Sequence, residues 1–153
     1  MKTYENLRLQ NQLCFALYAA TNAITRAYRT GLSKVGLTYS QYLVMMVLWE
    51  GDGIPVKRIA ERLQLDSSTI TSVLKRLELS GFVNRRRSVS DERVVNICLT
   101  ETGRDIQAAI AKIQQGIVCQ TSLSESEFIE LRSSLYQLVE KLHANQPELQ
   151  GVA

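Results

Sequence analysis

The chain has 153 residues, of which 45% are hydrophobic and 22% are charged, and its formal net charge is +3. This apolar content is sufficient for a folded core and argues against a disordered chain. Since the longest apolar run, Tyr42 to Trp49, is far shorter than the roughly 20 residues that span a bilayer, and the N-terminus does not resemble a signal peptide, we expect a cytoplasmic protein without membrane association.

The charge is distributed unevenly along the chain. Residues 55–93 contain nine Lys or Arg and five Asp or Glu, a net charge of +4, so the remaining residues sum to −1. A basic segment in a nearly neutral chain indicates a polyanionic partner, although a solvated charged surface would give the same count.

The three cysteines lack CxxC spacing, which argues against a zinc site or a secreted disulfide framework, and we expect no metal or other cofactor.

A first amphipathic helix over about residues 5–30 is predicted from apolar residues at helical spacing: Leu13, Leu17, Ala20 and Ile24. Gly31 and Gly36 are expected to break up the segment after it. A second helix is predicted from near Tyr39 to residues 51–53. Its continuous apolarity indicates burial on most sides.

Two short helices follow. Pro55 fits the first turn of one helix, where its missing N–H costs nothing. Asp66 is a favourable N-cap for the next helix, which is expected to stop at Gly81. Joined at residues 64–65, these helices predict a helix-turn-helix.

The apolar period changes after Gly81, where strands are predicted over residues 82–87 and 94–99 with a polar tip at 88–93. Helix resumes after Thr100, and a last helix opens with a capping box at residues 124–127. The expected fold is mainly α with a small β-hairpin wing: a winged helix-turn-helix at 55–100 within a single domain, 1–153. Apolar helices at 5–30 and 101–145 are expected to form the dimerisation layer of a homodimer.

The predicted helix after Asp66 carries small hydroxyls and two cations on its outer face: Ser67, Ser68, Thr71, Ser72, Lys75 and Arg76. Small side chains permit entry into a DNA major groove, and Lys and Arg reach phosphates or guanine edges. The predicted wing adds further candidates for DNA contact: Arg85, Arg86, Arg87, Asp91 and Arg93. An arginine at a wing tip suits the electronegative minor groove, with a nearby carboxylate to hold it.

Residues 56–102 resemble the winged helix of MarR-type regulators, including their Asp-x-Arg wing signature at Asp91 and Arg93. Within that family, LCFALYAA (13–20), LTYSQYLVMMVLWE (37–50) and LDSSTITSVLKRLELSG (65–81) resemble the organic hydroperoxide repressors, the OhrR type. The resemblance covers about residues 5–120. It implies a homodimer that binds palindromic double-stranded operator DNA and is released by an organic hydroperoxide.

Cys14 lies at the flank of the first apolar stripe. A thiolate attacks peroxides, and the resulting sulfenic acid condenses with a second thiol, but a small buried hydrophobe would explain the residue as well. The resemblance implies that Cys14 is the peroxide-reactive cysteine, that Tyr28 and Tyr39 bind its thiolate, and that Cys119 is the second redox cysteine. The alternative to Cys119 is the single-cysteine mode, in which a small external thiol caps oxidised Cys14. Cys98 matches no sensor position and is expected to be structural.

Tyr28 follows Cys14 by 14 residues, about 21 Å along a straight helix, so it cannot reach the Cys14 of its own chain unless the helix breaks. A partner chain that runs antiparallel could supply the phenol.

Three alternatives to a redox repressor remain. They are a MarR-type repressor released by a phenolic or lipophilic ligand without cysteine oxidation, a thiol peroxidase, and an architectural DNA-coating protein. The chain has one histidine, His143, and no evident catalytic arrangement, so we do not expect an enzyme.

Overall fold

The computed structural model describes residues 4–88, 91 and 93–145. Its helices are α1 (Leu13–Lys34), α2 (Tyr39–Glu50), α3 (Val56–Leu63), α4 (Ser67–Leu79), α5 (Glu101–Asp105), α6 (Gln107–Thr121) and α7 (Glu125–Ala144). The strands are β1 (Ile54–Pro55), β2 (Val83–Arg87) and β3 (Val95–Leu99). None of the helices over the described residues is both long and apolar enough to cross a membrane.

The three strands form an antiparallel sheet in the order β1-β3-β2. Strands β2 and β3 pair from Val83 opposite Leu99 to Arg87 opposite Val95. The helix-turn-helix followed by a hairpin wing is therefore confirmed. Of the predicted wing tip, Val89, Ser90 and Glu92 lie outside the described residues.

The prediction that the first helix covers residues 5–30 is wrong at both ends. Two single 3-10 turns, Glu5–Leu7 and Leu9–Asn11, precede α1, and the backbone is extended at Gln12. Leu7 and Leu9 remain largely exposed, so little burial stabilises a longer helix there. At the other end, fully buried Leu32 holds the last turns of α1 in the core.

Gly31 does not break α1, contrary to the prediction. A Cβ at this position would lie 2.7 Å from Cγ2 of Ile113, so the glycine permits α6 to approach closely. Gly36 does end the helical segment, with a positive φ of 76°.

Strand β1 was not predicted, because two residues are too short to show a period. Pro55 is its last residue and precedes α3 at the N-cap, instead of lying within the first turn as expected. The pairing places Ile54 opposite Ile97 and Pro55 opposite Asn96, which ties the start of α3 to the wing.

The chain divides into two compact units, residues 1–117 and 118–153. The first contains the core, whose fully buried side chains include Met45, Leu48, Ile59, Ile70, Leu74, Leu77 and Ile97. In the second, helix α7 begins with the predicted capping box between Ser124 and Glu127 and has no buried residue.

Candidate nucleic-acid interface and thiol site

Helix α4 is fixed at its start by Asp66. One carboxylate oxygen accepts from the Thr69 amide at 2.8 Å and from the Ser68 hydroxyl, and the other accepts from the Thr69 hydroxyl at 2.7 Å. These hydrogen bonds lower the pKa of Asp66, so the cap is ionised at neutral pH. The buried residues Ile70, Leu74 and Leu77 hold the opposite side of α4 in the core.

The outer face of α4 is open to solvent, as the sequence predicted. All six candidate residues on it are exposed: Ser67, Ser68, Thr71, Ser72, Lys75 and Arg76. Among the described residues, no carboxylate forms an ion pair with Lys75 or Arg76. The face therefore presents two uncompensated cations beside small hydroxyls, a surface that suits a DNA groove.

The wing arginines differ in their surroundings. Arg85 Nε lies 3.0 Å from Glu78 Oε2, so an ion pair connects β2 with the last turn of α4. Arg86 and Arg87 are exposed. Arg85 therefore has a partner within the protein, whereas no described carboxylate forms an ion pair with Arg86 or Arg87.

The wing tip contains the predicted Asp91 and Arg93 pair. Asp91 Oδ1 accepts from the Arg93 amide at 3.0 Å and lies 3.5 Å from Arg93 Nε. The Arg93 side chain is 94% exposed. Asp91 thus orders the turn while the guanidinium points into solvent, where it can reach a DNA groove.

Asp52, which sequence reasoning missed, stabilises the base of the wing through hydrogen bonds. Its Oδ1 accepts from the amides of Leu99 at 2.7 Å and Gly53 at 2.8 Å, and its Oδ2 lies 2.7 Å from an Arg104 nitrogen. Burial opposes ionisation, but the hydrogen bonds from Leu99, Arg104 and Gly53 outweigh it and lower the pKa of Asp52. The sequence signal that could have pointed to this role of Asp52 was its position between two glycines, Gly51 and Gly53.

Cys14 is exposed on the first turn of α1, with Gln12 Oε1 at 3.9 Å from its sulfur. Helix α1 runs without a break from Leu13 to Lys34, so Tyr28 cannot fold back to the Cys14 of its own chain. Cys14 and Tyr28 of one chain therefore lie about 21 Å apart along the helix axis, as expected from the sequence.

The two predicted tyrosines meet although they lie on different helices. The ring centroids of Tyr28 and Tyr39 are 5.4 Å apart, and Tyr42, which sequence reasoning missed, lies 5.2 Å from Tyr28. Burial raises the pKa of Tyr39, and the neighbouring Tyr28 raises it further. Burial also raises the pKa of Tyr42, and a hydrogen bond with Tyr28 adds to this increase. Tyr39 and Tyr42 therefore keep their protons at neutral pH and can donate hydrogen bonds.

The other cysteines lie in different surroundings. Cys119 is exposed on α6, in the unit of residues 118–153. Cys98 is partly buried in β3, opposite Asn84 of β2. Among the described residues, all three cysteines are free thiols, and no cluster of three His, Cys, Asp or Glu side chains could hold a metal ion.

Comparisons with known proteins agree with this geometry. Residues 26–110 match the family described as transcriptional regulator SarA/Rot. The chain is 41% identical over 140 residues to the organic hydroperoxide resistance transcriptional regulator of Bacillus subtilis, covering 92% of this chain and 95% of that protein.

Two solved structures of AbfR, a protein of Staphylococcus epidermidis, are also similar. The reduced protein bound to DNA has a TM-score of 0.76 at 37% identity, covering 92% of this chain and 96% of that one. The disulfide-formed protein has a TM-score of 0.63 at 37% identity, covering 92% and 93%.

Proposed function

The chain belongs to the MarR family of winged-helix transcriptional regulators, in the group of the organic hydroperoxide resistance regulators, and from this premise we propose how it acts. It is a repressor that binds operator DNA as a homodimer in the cytoplasm. An organic hydroperoxide oxidises Cys14, and the oxidised protein releases the DNA.

The convergence of Tyr28 and Tyr39 carries this proposal. Two phenols on separate helices form a donor cluster, which stabilises a thiolate placed against it. The cluster is too far along α1 to serve the Cys14 of the same chain. A second copy of the chain, running antiparallel, would bring an exposed Cys14 to the tyrosines of its partner, so the sensor belongs to the dimer.

The redox step follows from thiolate chemistry. The Cys14 sulfur attacks the terminal oxygen of the hydroperoxide, an S–O bond forms, and the O–O bond breaks. The leaving alkoxide takes up a proton equivalent to the one that the Cys14 thiol released to solvent, and it departs as an alcohol. The sulfur is thereby oxidised to sulfenic acid, and the peroxide is reduced. Condensation with the Cys119 thiol of the partner then forms an S–S bond and releases water. The disulfide-formed AbfR structure supports such a second step.

DNA contact is assigned to α4 and the wing. Lys75 and Arg76 would reach phosphates or guanine edges in the major groove, and Arg93 would enter the minor groove beside it. The DNA-bound AbfR structure supports this assignment. A dimer presents two such helices to half-sites about 34 Å apart, so a small change in their spacing costs much of the affinity.

Exposed apolar side chains support the homodimer. On α1, Leu13, Phe15 and Ile24 are at least 40% exposed in the single chain. Described by itself, α7 exposes Leu131 and Leu142 by more than half. Apolar helix faces of this kind favour coverage by a partner surface.

The proposal is tested with the reduced wild-type protein and a duplex selected by it from a random library. Binding is measured by gel shift before and after cumene hydroperoxide, and again after a dithiol. We expect loss of the shifted band with oxidant, recovery with dithiol, and consumption of about one peroxide per Cys14. Release by a phenol without oxidation would favour a ligand-controlled repressor, and sustained peroxide turnover with dithiol would favour an enzyme.

A further inference from the structure

A cavity of about 390 Å³ lies on the outer face of the wing sheet, where β2 and β3 meet the start of α5. Its volume falls within the range of about 300–1,000 Å³ that is typical of small-molecule sites. We call it the wing cavity. Side chains alternate along a strand, so its strand residues lie on the side of the sheet opposite to buried Val83 and Ile97. The lining includes Asp52, Asn84, Arg86, Cys98, Glu101 and Arg104.

Two of the charges in the wing cavity compensate each other, and two do not. Asp52 Oδ2 lies 2.7 Å from a nitrogen of Arg104, so these side chains form an ion pair. Arg86 and Glu101 are exposed, and neither forms an ion pair with another described residue. The cavity therefore offers one free guanidinium and one free carboxylate to a ligand.

The two free charges lie towards opposite ends of the wing cavity. Arg86 of β2 is opposite Asn96, whereas Glu101 follows Leu99, the last residue of β3. Asn96 and Leu99 are three residues apart, about 10 Å along the strand. An extended chain of three residues spans a similar distance, about 10 Å. A ligand that reaches both charges is therefore an extended zwitterion, not a free α-amino acid.

A buried hydrogen-bond acceptor lies between the two charges. Asn84 lines the wing cavity opposite Cys98, and its Oδ1 is buried and has no hydrogen-bond partner within the described part of the chain. The same holds for Oδ1 of Asn96 on the same face of the sheet. A buried acceptor without a donor costs free energy. An amide N–H of the ligand would supply the donor that Asn84 lacks.

We propose that the wing cavity binds short peptides as zwitterions. The peptide carboxylate accepts two parallel hydrogen bonds from Arg86, the ammonium group pairs with Glu101, and a backbone N–H donates to Asn84. A second consequence rests on the proposed function, which assigns DNA contact to the wing. Because a peptide carboxylate and a DNA phosphate compete for the Arg86 guanidinium, bound peptide weakens DNA binding without oxidation of Cys14.

Peptide binding is measured by calorimetry of the reduced protein with trialanine, N-acetyltrialanine and trialaninamide. The acetyl group removes the ammonium charge and the amide removes the carboxylate, so each blocked peptide should bind about tenfold or more weakly than trialanine. Arg86→Gln should weaken trialanine by a similar factor and leave trialaninamide unchanged. The matched control is Arg87→Gln, the next residue of β2, which does not line the cavity and should bind trialanine as the wild type does. Equal binding of the three peptides, no binding of trialanine, or an unchanged affinity of Arg86→Gln would overturn the site.

Cys98 reports where the peptide binds, because it lines the wing cavity. In a protein with Cys14→Ser and Cys119→Ser, Cys98 is the remaining cysteine. We expect saturating trialanine to slow alkylation of Cys98 by iodoacetamide, whereas the same concentration should have little effect once Arg86→Gln is added. An unchanged alkylation rate with trialanine bound would place the peptide elsewhere and refute this cavity.

Competition with DNA is then measured by anisotropy with the selected duplex. Saturating trialanine should weaken DNA binding by the reduced wild type about as much as Arg86→Gln does without peptide, and it should leave the affinity of Arg86→Gln unchanged. An unaltered wild-type affinity with bound trialanine would refute the competition. If the reduced protein does not bind the duplex, the proposed function fails, and calorimetry and Cys98 alkylation still decide the peptide site.

Discussion

The ring of Tyr39, at the first residue of α2, lies 5.4 Å from that of Tyr28 on α1. Tyr28→Phe or Tyr39→Phe removes one phenolic donor and keeps the ring, so the Cys14 thiolate loses stabilisation. We expect slower alkylation of Cys14 by iodoacetamide and slower peroxide-driven DNA release, with DNA affinity of the reduced protein little changed. Tyr136→Phe, an exposed tyrosine of α7, is the matched control. Unchanged thiol reactivity in both variants would mean that other groups stabilise the thiolate.

Arg93 lies at the wing tip, where its side chain has little contact with the core. Arg93→Ala should cost about 1–3 kcal/mol of binding free energy, or about 5- to 150-fold in affinity, without changing the thermal unfolding temperature. Anisotropy titrations at moderate salt measure this loss. Lys112→Ala makes the same charge change on an exposed face of α6 and should leave the affinity within about twofold. If Arg93→Ala binds DNA with unaltered affinity, Arg93 does not contribute to the DNA contact.

Asp52 links the base of the wing to α5 as a carboxylate. Because its pKa is lowered in the folded state, it stabilises the fold above its unfolded pKa of about 3.9, and this contribution disappears as the pH falls through the folded pKa. Asp52→Asn should therefore destabilise by on the order of 1 kcal/mol at pH 7. Urea unfolding between pH 3 and pH 7 measures the free energy of unfolding of the wild type and of Asp52→Asn, and the two values should approach each other as the pH falls. A difference independent of pH would contradict an ionic role.

Cys119 is proposed as the residue that resolves oxidised Cys14. After one equivalent of cumene hydroperoxide, the wild-type protein should run as a covalent dimer on a non-reducing gel and return to monomer with dithiol. Cys119→Ser should lack this band and, with excess oxidant, proceed to the sulfinic or sulfonic acid at Cys14. Cys98→Ser is the control and should behave as wild type. If only monomer appears and peptide mapping finds no link between Cys14 and Cys119, the two-cysteine mechanism is wrong.

Much of the winged helix-turn-helix could be predicted because its signals are local. Asp66 caps α4, and Gly81, with a positive φ, follows the end of that helix. Ile97 and Leu99, buried at alternate positions, indicate strand β3. Each of these depends on residues within a few positions, and the structure confirms them.

What could not be predicted depends on contacts that are distant in sequence. Gly31 remains helical because Ile113 packs against it, and Asp52 reaches the amide of Leu99, 47 residues away. The place of Tyr42 in the tyrosine cluster likewise required the packing of α1 against α2. The roles of the site residues came from family resemblance, since one cysteine in an apolar helix is equally consistent with core packing.

The claim that oxidation of Cys14 controls DNA release is tested most directly with Cys14→Ser, which replaces one sulfur by oxygen. Its affinity for the selected duplex is titrated with and without excess cumene hydroperoxide, alongside the wild type. We expect equal affinities for the two reduced proteins and at least about a tenfold loss on oxidation in the wild type alone. Release of Cys14→Ser by the hydroperoxide to the same extent as the wild type would contradict the account.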